Sequence, residues 1–303
     1  MKSFFKVDVN KYVLGKDFSV VRPASLDNPK DNAVMFLSNR FIQKVAALSK
    51  SFEKVNECLI FWPEGAEIPE TVVHKHAVVI CKNPHNCFSR FFSENNIKNQ
   101  PKPNEYNIIN GAYIEVGANI SRGCVIFPGA YIAKNVFIGE NSYIGAGVKI
   151  MGDVQIGKNV VIRENTVIGA DGLTTDRDEM GRALTIPQFG GVQIGDDVQI
   201  GANTVIARGA IDDTIISQGV KIDSSSFISH NVYIGKDTFV VGEVIMFGNS
   251  SVGERTLISG NSLISNRVHI GSNVLLGASS TATKDIPDGT VAYGAPAKVI
   301  RNK

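Results

Sequence analysis

The chain has 303 residues, room for two domains, and 43% of them are hydrophobic. Its 31 basic and 29 acidic side chains leave a net charge of +2, which gives no electrostatic case for nucleic acid or an anionic membrane as partner. The first 20 residues hold no long apolar core with a small-residue cleavage site, and no stretch approaches the roughly 20 apolar residues of a membrane span, so a soluble cytoplasmic protein is expected.

Residues 1–105 have a mixed α/β texture. A helix is predicted over 41–52, strands over CLIFW (58–62) and HAVVICK (76–82), and a short helix over 84–94. The polar, proline-containing NQPKPNEYN (99–107) reads as a linker. Cys58, Cys81, Cys87 and Cys124 form neither a C-x-x-C pair nor a disulfide framework and are expected to be free thiols. His74 and His76 would share a strand face by alternation but lack a third ligand nearby, so no metal site is expected there.

From residue 108 isoleucine takes every sixth position eleven times: Ile108, Ile114, Ile120, Ile126, Ile132, Ile138, Ile144, Ile150, Ile156, Ile162 and Ile168. A helix needs apolar recurrence near 3.6 and a simple strand near 2, so a period of six is that of a parallel β-helix. Three hexads close one coil, and residues eighteen apart stack at roughly 4.8 Å. Glycine often follows the aliphatic, as at Gly139, Gly157, Gly195 and Gly235. Asparagine recurs three residues after it, at Asn135, Asn141, Asn159, Asn165, Asn203, Asn231, Asn249, Asn261 and Asn273, where a turn favours left-handed backbone. This I-G-x-N hexad is the pattern of the left-handed β-helix, predicted over 106–283 with a short C-terminal tail, 284–303. The fold class is mainly β with a small N-terminal α/β domain.

Two breaks interrupt the coil. Ile168 to Ile194 is one hexad plus 20 residues, and Ile206 to Ile216 is one hexad plus four, around ARGAIDDT. His230 lies two residues after inward Ile228, so it belongs to a corner and should project out of the prism. Gly248 stands eighteen residues on, one rung along, where its N–H could face a group held beside the imidazole. His230 and His269 are too few for a zinc site shared between subunits, which disfavours metal-dependent chemistry.

The segments IGADG (168–172), IPQFG (186–190), IGDDVQIGANTVIARGAIDDT (194–214) and HNVYIG (230–235) resemble the UDP-3-O-acylglucosamine N-acyltransferase family of lipid A biosynthesis. NAVMFLSNRF (32–41) and HAVVICKNP (76–84) resemble that family's uridine-binding domain, with Phe36 and Asn39 as its F-x-x-N motif. The resemblance covers most of the chain. It implies a homotrimer with active sites between neighbouring coils and the 171–190 loop leaning toward the adjacent protomer. His230 becomes the general base, Gly248 the oxyanion amide and Asp223 a nearby supporting carboxylate, while Phe36, Asn39 and Asn231 bind substrate. Asp223 could equally cap a turn, and Phe36 and Asn39 could be core and turn residues.

The chain also departs from that family. Arg267 replaces a second histidine and would suit phosphate or an anionic donor group. Glu243, Phe247, Asn249, Asn261 and Ser262 stand where a long acyl groove would carry Gly and Ala, and so favour a short acyl group. In place of a helical extension the sequence closes on YGAPAKVIRNK, similar to hexapeptide sugar acetyltransferases, in which Gly294, Pro296 and Ala297 would contact the donor or simply cap the coil. The expectation is N-acylation of a nucleotide-linked amino sugar by a short-chain acyl-CoA such as acetyl-CoA, with no bound cofactor. The alternative donor is 3-hydroxyacyl carrier protein in the lipid A step itself. A β-helical scaffold or sugar-nucleotide binding module is the non-catalytic alternative.

Overall fold

The computed structural model describes residues 2–39, 50–99 and 104–303. The chain forms two compact units, Met1–Gln100 with Leu173–Phe189, and Pro101–Gly172 with Gly190–Lys303.

The second unit is the left-handed β-helix. Its strands stack into three parallel sheets, and one inward column runs Ile114, Ile132, Ile150, Ile168, Ile206, Ile228, Met246, Ile264 and Ala282 in paired register. All are buried, as a hexad with one aliphatic facing the axis requires. Each such side chain contributes about 1.5 to 3 kcal/mol on burial. Ile168 pairs with Ile206 across 38 residues, eighteen plus the 20 of the first excursion, so the register resumes unshifted beyond a local irregularity at Ala170.

A second inward position, two residues before each aliphatic, is filled mostly by valine or by a small hydroxyl side chain, with alanine or cysteine in the first coils. Thr166, Thr204, Thr238, Ser250, Thr256, Ser262 and Ser280 are all buried there. Their hydroxyls are satisfied: Thr238 Oγ1 donates to Gly253 O at 2.7 Å and accepts from the Thr256 N–H at 3.2 Å. Ser262 belongs to this set and donates to Gly277 O, so it faces the axis and lines no acyl groove.

The ends depart from the repeat. Ile108 lies in Tyr106–Ile109, which pairs antiparallel with Ala112–Glu115, and is 62% exposed, so the first of the eleven isoleucines is outside the coil. Eight of the nine predicted asparagines have positive φ, and Asn135 does not. The predicted tail is a closing hairpin, Thr290–Tyr293 against Lys298–Asn302, that extends one sheet.

The first unit has a four-stranded parallel sheet, Arg22–Pro23, Ala33–Phe36, Leu59–Pro63 and Ala77–Cys81 in that order. The helix Pro84–Glu94 begins after Asn83, whose side chain accepts from the Asn86 N–H and caps it. Most of the predicted helix over 41–52, and residues 100–103 of the predicted linker, lie outside the described residues. His74 is in the helix Glu70–Lys75, not on a strand face with His76. His76 is buried, with Nε2 3.0 Å from Phe52 O and Nδ1 accepting from the Cys58 N–H, and burial pulls its pKa down. The excursion 173–189 contains an antiparallel pair, Thr175–Arg177 with Ala183–Thr185. No helix among the described residues is long and apolar enough to cross a membrane.

Candidate active site

His230 sits at the corner between Phe227–Ile228 and Tyr233–Ile234. It does not project freely: it is 8% exposed, walled by two glycines. A Cβ built on Gly172 would lie 2.9 Å from His230 Cβ, and one on Gly248 would lie 2.5 Å from both Cε1 and Nε2. Neither glycine has positive φ, so close approach of the imidazole is what requires them.

His230 Nδ1 lies 3.1 Å from Asn231 Oδ1. Asn231 Nδ2 donates to Asp212 O at 2.7 Å and its Oδ1 accepts from the Ala210 N–H at 2.9 Å, which fixes the amide orientation. An oxygen facing Nδ1 makes Nδ1 the donor and leaves the lone pair of the neutral ring on Nε2, beside Gly248. Asn231, expected to touch substrate, has both amide atoms engaged within the chain. Held this way, its Oδ1 faces His230 Nδ1. Its two partners lie in the four-residue excursion, where Gly209 is obligatory because a Cβ would meet Asp212 O at 1.7 Å.

Two further residues come from the edges of the coil breaks and were not singled out in the sequence. Arg208 is buried, donates from Nε to Gly190 O at 2.6 Å and reaches Asp153 at 3.4 Å. Asp171 immediately precedes Gly172; burial raises its pKa, and Arg208 partly offsets this.

Gly248 and Arg267 share the His230 corner. The Gly248 carbonyl accepts from Asn266 Nδ2 at 2.6 Å and the Arg267 N–H at 3.2 Å, while no acceptor among the described residues takes its own N–H. Arg267 is exposed in left-handed backbone, two rungs along the same corner from Asn231, roughly 10 Å at the usual rung spacing. Phe247 and Asn249 flank Gly248 and are exposed.

Asp223 is not brought to His230 within one chain. Six residues lie between them, so the strand Phe227–Ile228 intervenes and Asp223 falls at the preceding corner. Its Oδ1 accepts from the Ser224 N–H at 2.7 Å. It lines an open concavity of about 400 Å³ with Arg163, Gln199, Lys221 and Phe239. Glu243 and Asn261 follow it along that corner, where Asn261 donates to Ser279 Oγ. Gly294, Pro296 and Ala297 form the turn of the closing hairpin. The Gly294 N–H bonds Ser280 Oγ and the Ala297 N–H bonds Thr281 O, so their backbone seals the last rung.

In the first unit Phe36 ends the second strand of the sheet, half-buried, 4.9 Å from Phe88 and 5.2 Å from His85 between ring centroids. Exposed Asn39 donates from Nδ2 to Lys82 O at 2.9 Å, which ties the segment after that strand to the loop preceding the Pro84–Glu94 helix. The excursion 173–189 bonds to this helix of its own chain. His85 meets Asp176, Asn86 donates to Arg177 O, and Arg90 pairs with Glu179. No group of three metal-ligating side chains occurs among the described residues.

Residues 135–170 match the bacterial transferase hexapeptide (six repeats) family, and residues 182–211 match the hexapeptide repeat of succinyl-transferase. A UDP-3-O-acylglucosamine N-acyltransferase of Coxiella burnetii is 41% identical over 63 residues, which is 21% of this chain and 18% of that enzyme. The chain thus matches under a fifth of the length of that curated relative. Among solved structures, UDP-N-acetylglucosamine acyltransferases of Campylobacter jejuni (TM-score 0.58, 24% identity, 65% of this chain and 75% of that one) and Francisella novicida (0.60, 24%, 65% and 71%) share the fold. Two stretches of this chain thus match hexapeptide-repeat models, and its coil is the fold that these UDP-sugar acyltransferases share.

Proposed function

We propose that the protein is an N-acyltransferase that transfers a short acyl group from acyl-CoA to the amine of a nucleotide-linked amino sugar. The observation that carries this is the His230 imidazole, fixed by Asn231 with its Nε2 lone pair beside the Gly248 amide. An amine attacking a thioester must lose a proton, and Nε2 is oriented to take it. The carbonyl oxygen becomes an oxyanion as the C–N bond forms, and the Gly248 N–H donates to it. Collapse breaks the C–S bond, and the imidazolium returns its proton to the leaving thiolate. A positioned base contributes about 10² to 10⁴ in rate and an oxyanion donor about 10² to 10³.

The rest of the site is assigned in the same proposal. Phe36 and Asn39 hold the nucleotide base. Arg267 binds an anionic group of the donor, and Gly294, Pro296 and Ala297 lie along its path. A homotrimer sets the Asp223 corner of one coil against the His230 corner of the next, which is where a supporting carboxylate acts. The bulk of Phe247 beside Gly248 favours a short acyl chain. The second reading, transfer of a 3-hydroxyacyl group from acyl carrier protein to UDP-linked glucosamine, is favoured by the 41% local identity to the Coxiella enzyme. Incubation with acetyl-CoA, 3-hydroxyacyl carrier protein and a panel of nucleotide amino sugars separates them by product mass. Absence of any acylated product would leave only a binding module.

A further inference from the structure

One imidazole in the first unit is held by a carboxylate and plays no part in the acyl transfer. His85, in the first turn of the Pro84–Glu94 helix, stands at 77° to the Phe36 ring, a wall beside that aromatic face. Its Nδ1 is 3.0 Å from Asp176 Oδ2, and the same oxygen accepts from Ser89 Oγ at 3.1 Å. Asp176 Oδ1 accepts from the Arg177 N–H. Burial would raise the Asp176 carboxyl, but these hydrogen bonds outweigh it and hold the group below the usual carboxylate range, so it is an anion at neutral pH. A carboxylate only accepts, which makes Nδ1 the donor and puts the lone pair of the neutral ring on Nε2. The side chain is 38% exposed, so the imidazole is not sealed within the unit. These residues share one compact unit, and Phe36 stands at the C-terminal end of its parallel strand, the end at which open α/β sheets bind ligands.

We propose that His85, positioned by Asp176, accepts a hydrogen bond from the imide N–H of a uracil or thymine ring laid over Phe36, and so restricts the nucleotide to bases of that class. The inference rests on the reading that this unit holds the nucleotide of the sugar substrate. Cytosine presents a ring-nitrogen lone pair where uracil carries N–H, so two acceptors would face each other with neither satisfied.

Calorimetric binding of UDP, CDP and N3-methyl-UDP to the unaltered full chain tests this without any substitution. UDP is expected to bind at least about tenfold more tightly than either analogue, the scale of one unmade hydrogen bond at a desolvated edge. His85→Phe keeps an aromatic ring beside Phe36 and should erase the difference. Asp176→Asn, whose amide can donate to Nδ1 and shift the hydrogen to Nε2, should narrow or reverse it. Equal affinities for the three ligands, with binding still lost in Phe36→Ala, or discrimination that survives in His85→Phe, would overturn the role of His85 and keep the nucleotide site. No binding of UDP, or binding indifferent to Phe36→Ala, would overturn both.

Discussion

In the proposed transfer His230, Gly248 and Asn231 divide one task between them, and each can be tested separately. His230→Ala should lower turnover by about 10² or more while assembly and unfolding temperature stay unchanged. Full activity in a folded variant would remove the assignment. Gly248→Ala places a methyl where the imidazole now lies. The backbone there accepts any residue, so the ring is expected to swing away and activity to fall on a comparable scale with little change in stability. Asn231→Gly keeps the left-handed turn but frees Nδ1. A loss of about ten- to a hundredfold in kcat with KM little changed is expected, since a misplaced group can cost that much. The stacking of His230 under Gly248 was legible in the sequence because a coil of three hexads puts residue i under i+18. The task of Asn231 was not, because it depends on Ala210 and Asp212 in an excursion that follows no period. Asp223 came with the resemblance and not with the period, and within one chain the strand Phe227–Ile228 carries it to the corner before His230.

At the scale of elements, two ladders hold the coil, one aliphatic and one of hydroxyls. Ile228→Ala, between Ile206 and Met246, should cost about 2–5 kcal/mol in chemical denaturation. Thr238→Val keeps shape but leaves Gly253 O and the Thr256 N–H without their partner, and should cost about 1–3 kcal/mol. The aliphatic ladder was plain from the period of six. The hydroxyl ladder was not, because serine and threonine also populate turns and only register shows them facing the axis. The pair Thr175–Arg177 and Ala183–Thr185 is fastened through Asp176. Its carboxyl is held below its unfolded value, so this fastening is complete above about pH 3.9 and is lost as pH falls through the lower folded value. Amide protection across 175–185, measured against the unfolded chain at the same pH, should fall in that acid window, and in Asp176→Asn it should be lower already at neutral pH.

For the whole molecule, the coil turns several large apolar side chains outward. Phe227, Tyr233, Phe239, Ile245 and Phe247 are all exposed in the single chain. A homotrimer would cover part of this surface and supply the carboxylate that one chain keeps a corner away from His230. Light scattering is expected to give three times the chain mass, and dissociation to monomer should abolish transfer. A monomer with full activity would refute the shared site. The first unit was less legible than the coil. Its four strands lack clean alternation, and part of the helical pattern falls outside the described residues. The pairing of Ile168 with Ile206 shows that the sheet tolerates a detour of 20 residues without slipping a rung. That corner is therefore a natural splice point. Segments of other length or chemistry can be exchanged there while the scaffold stays intact, so substrate preference can diverge among descendants of this sequence without the coil having to change.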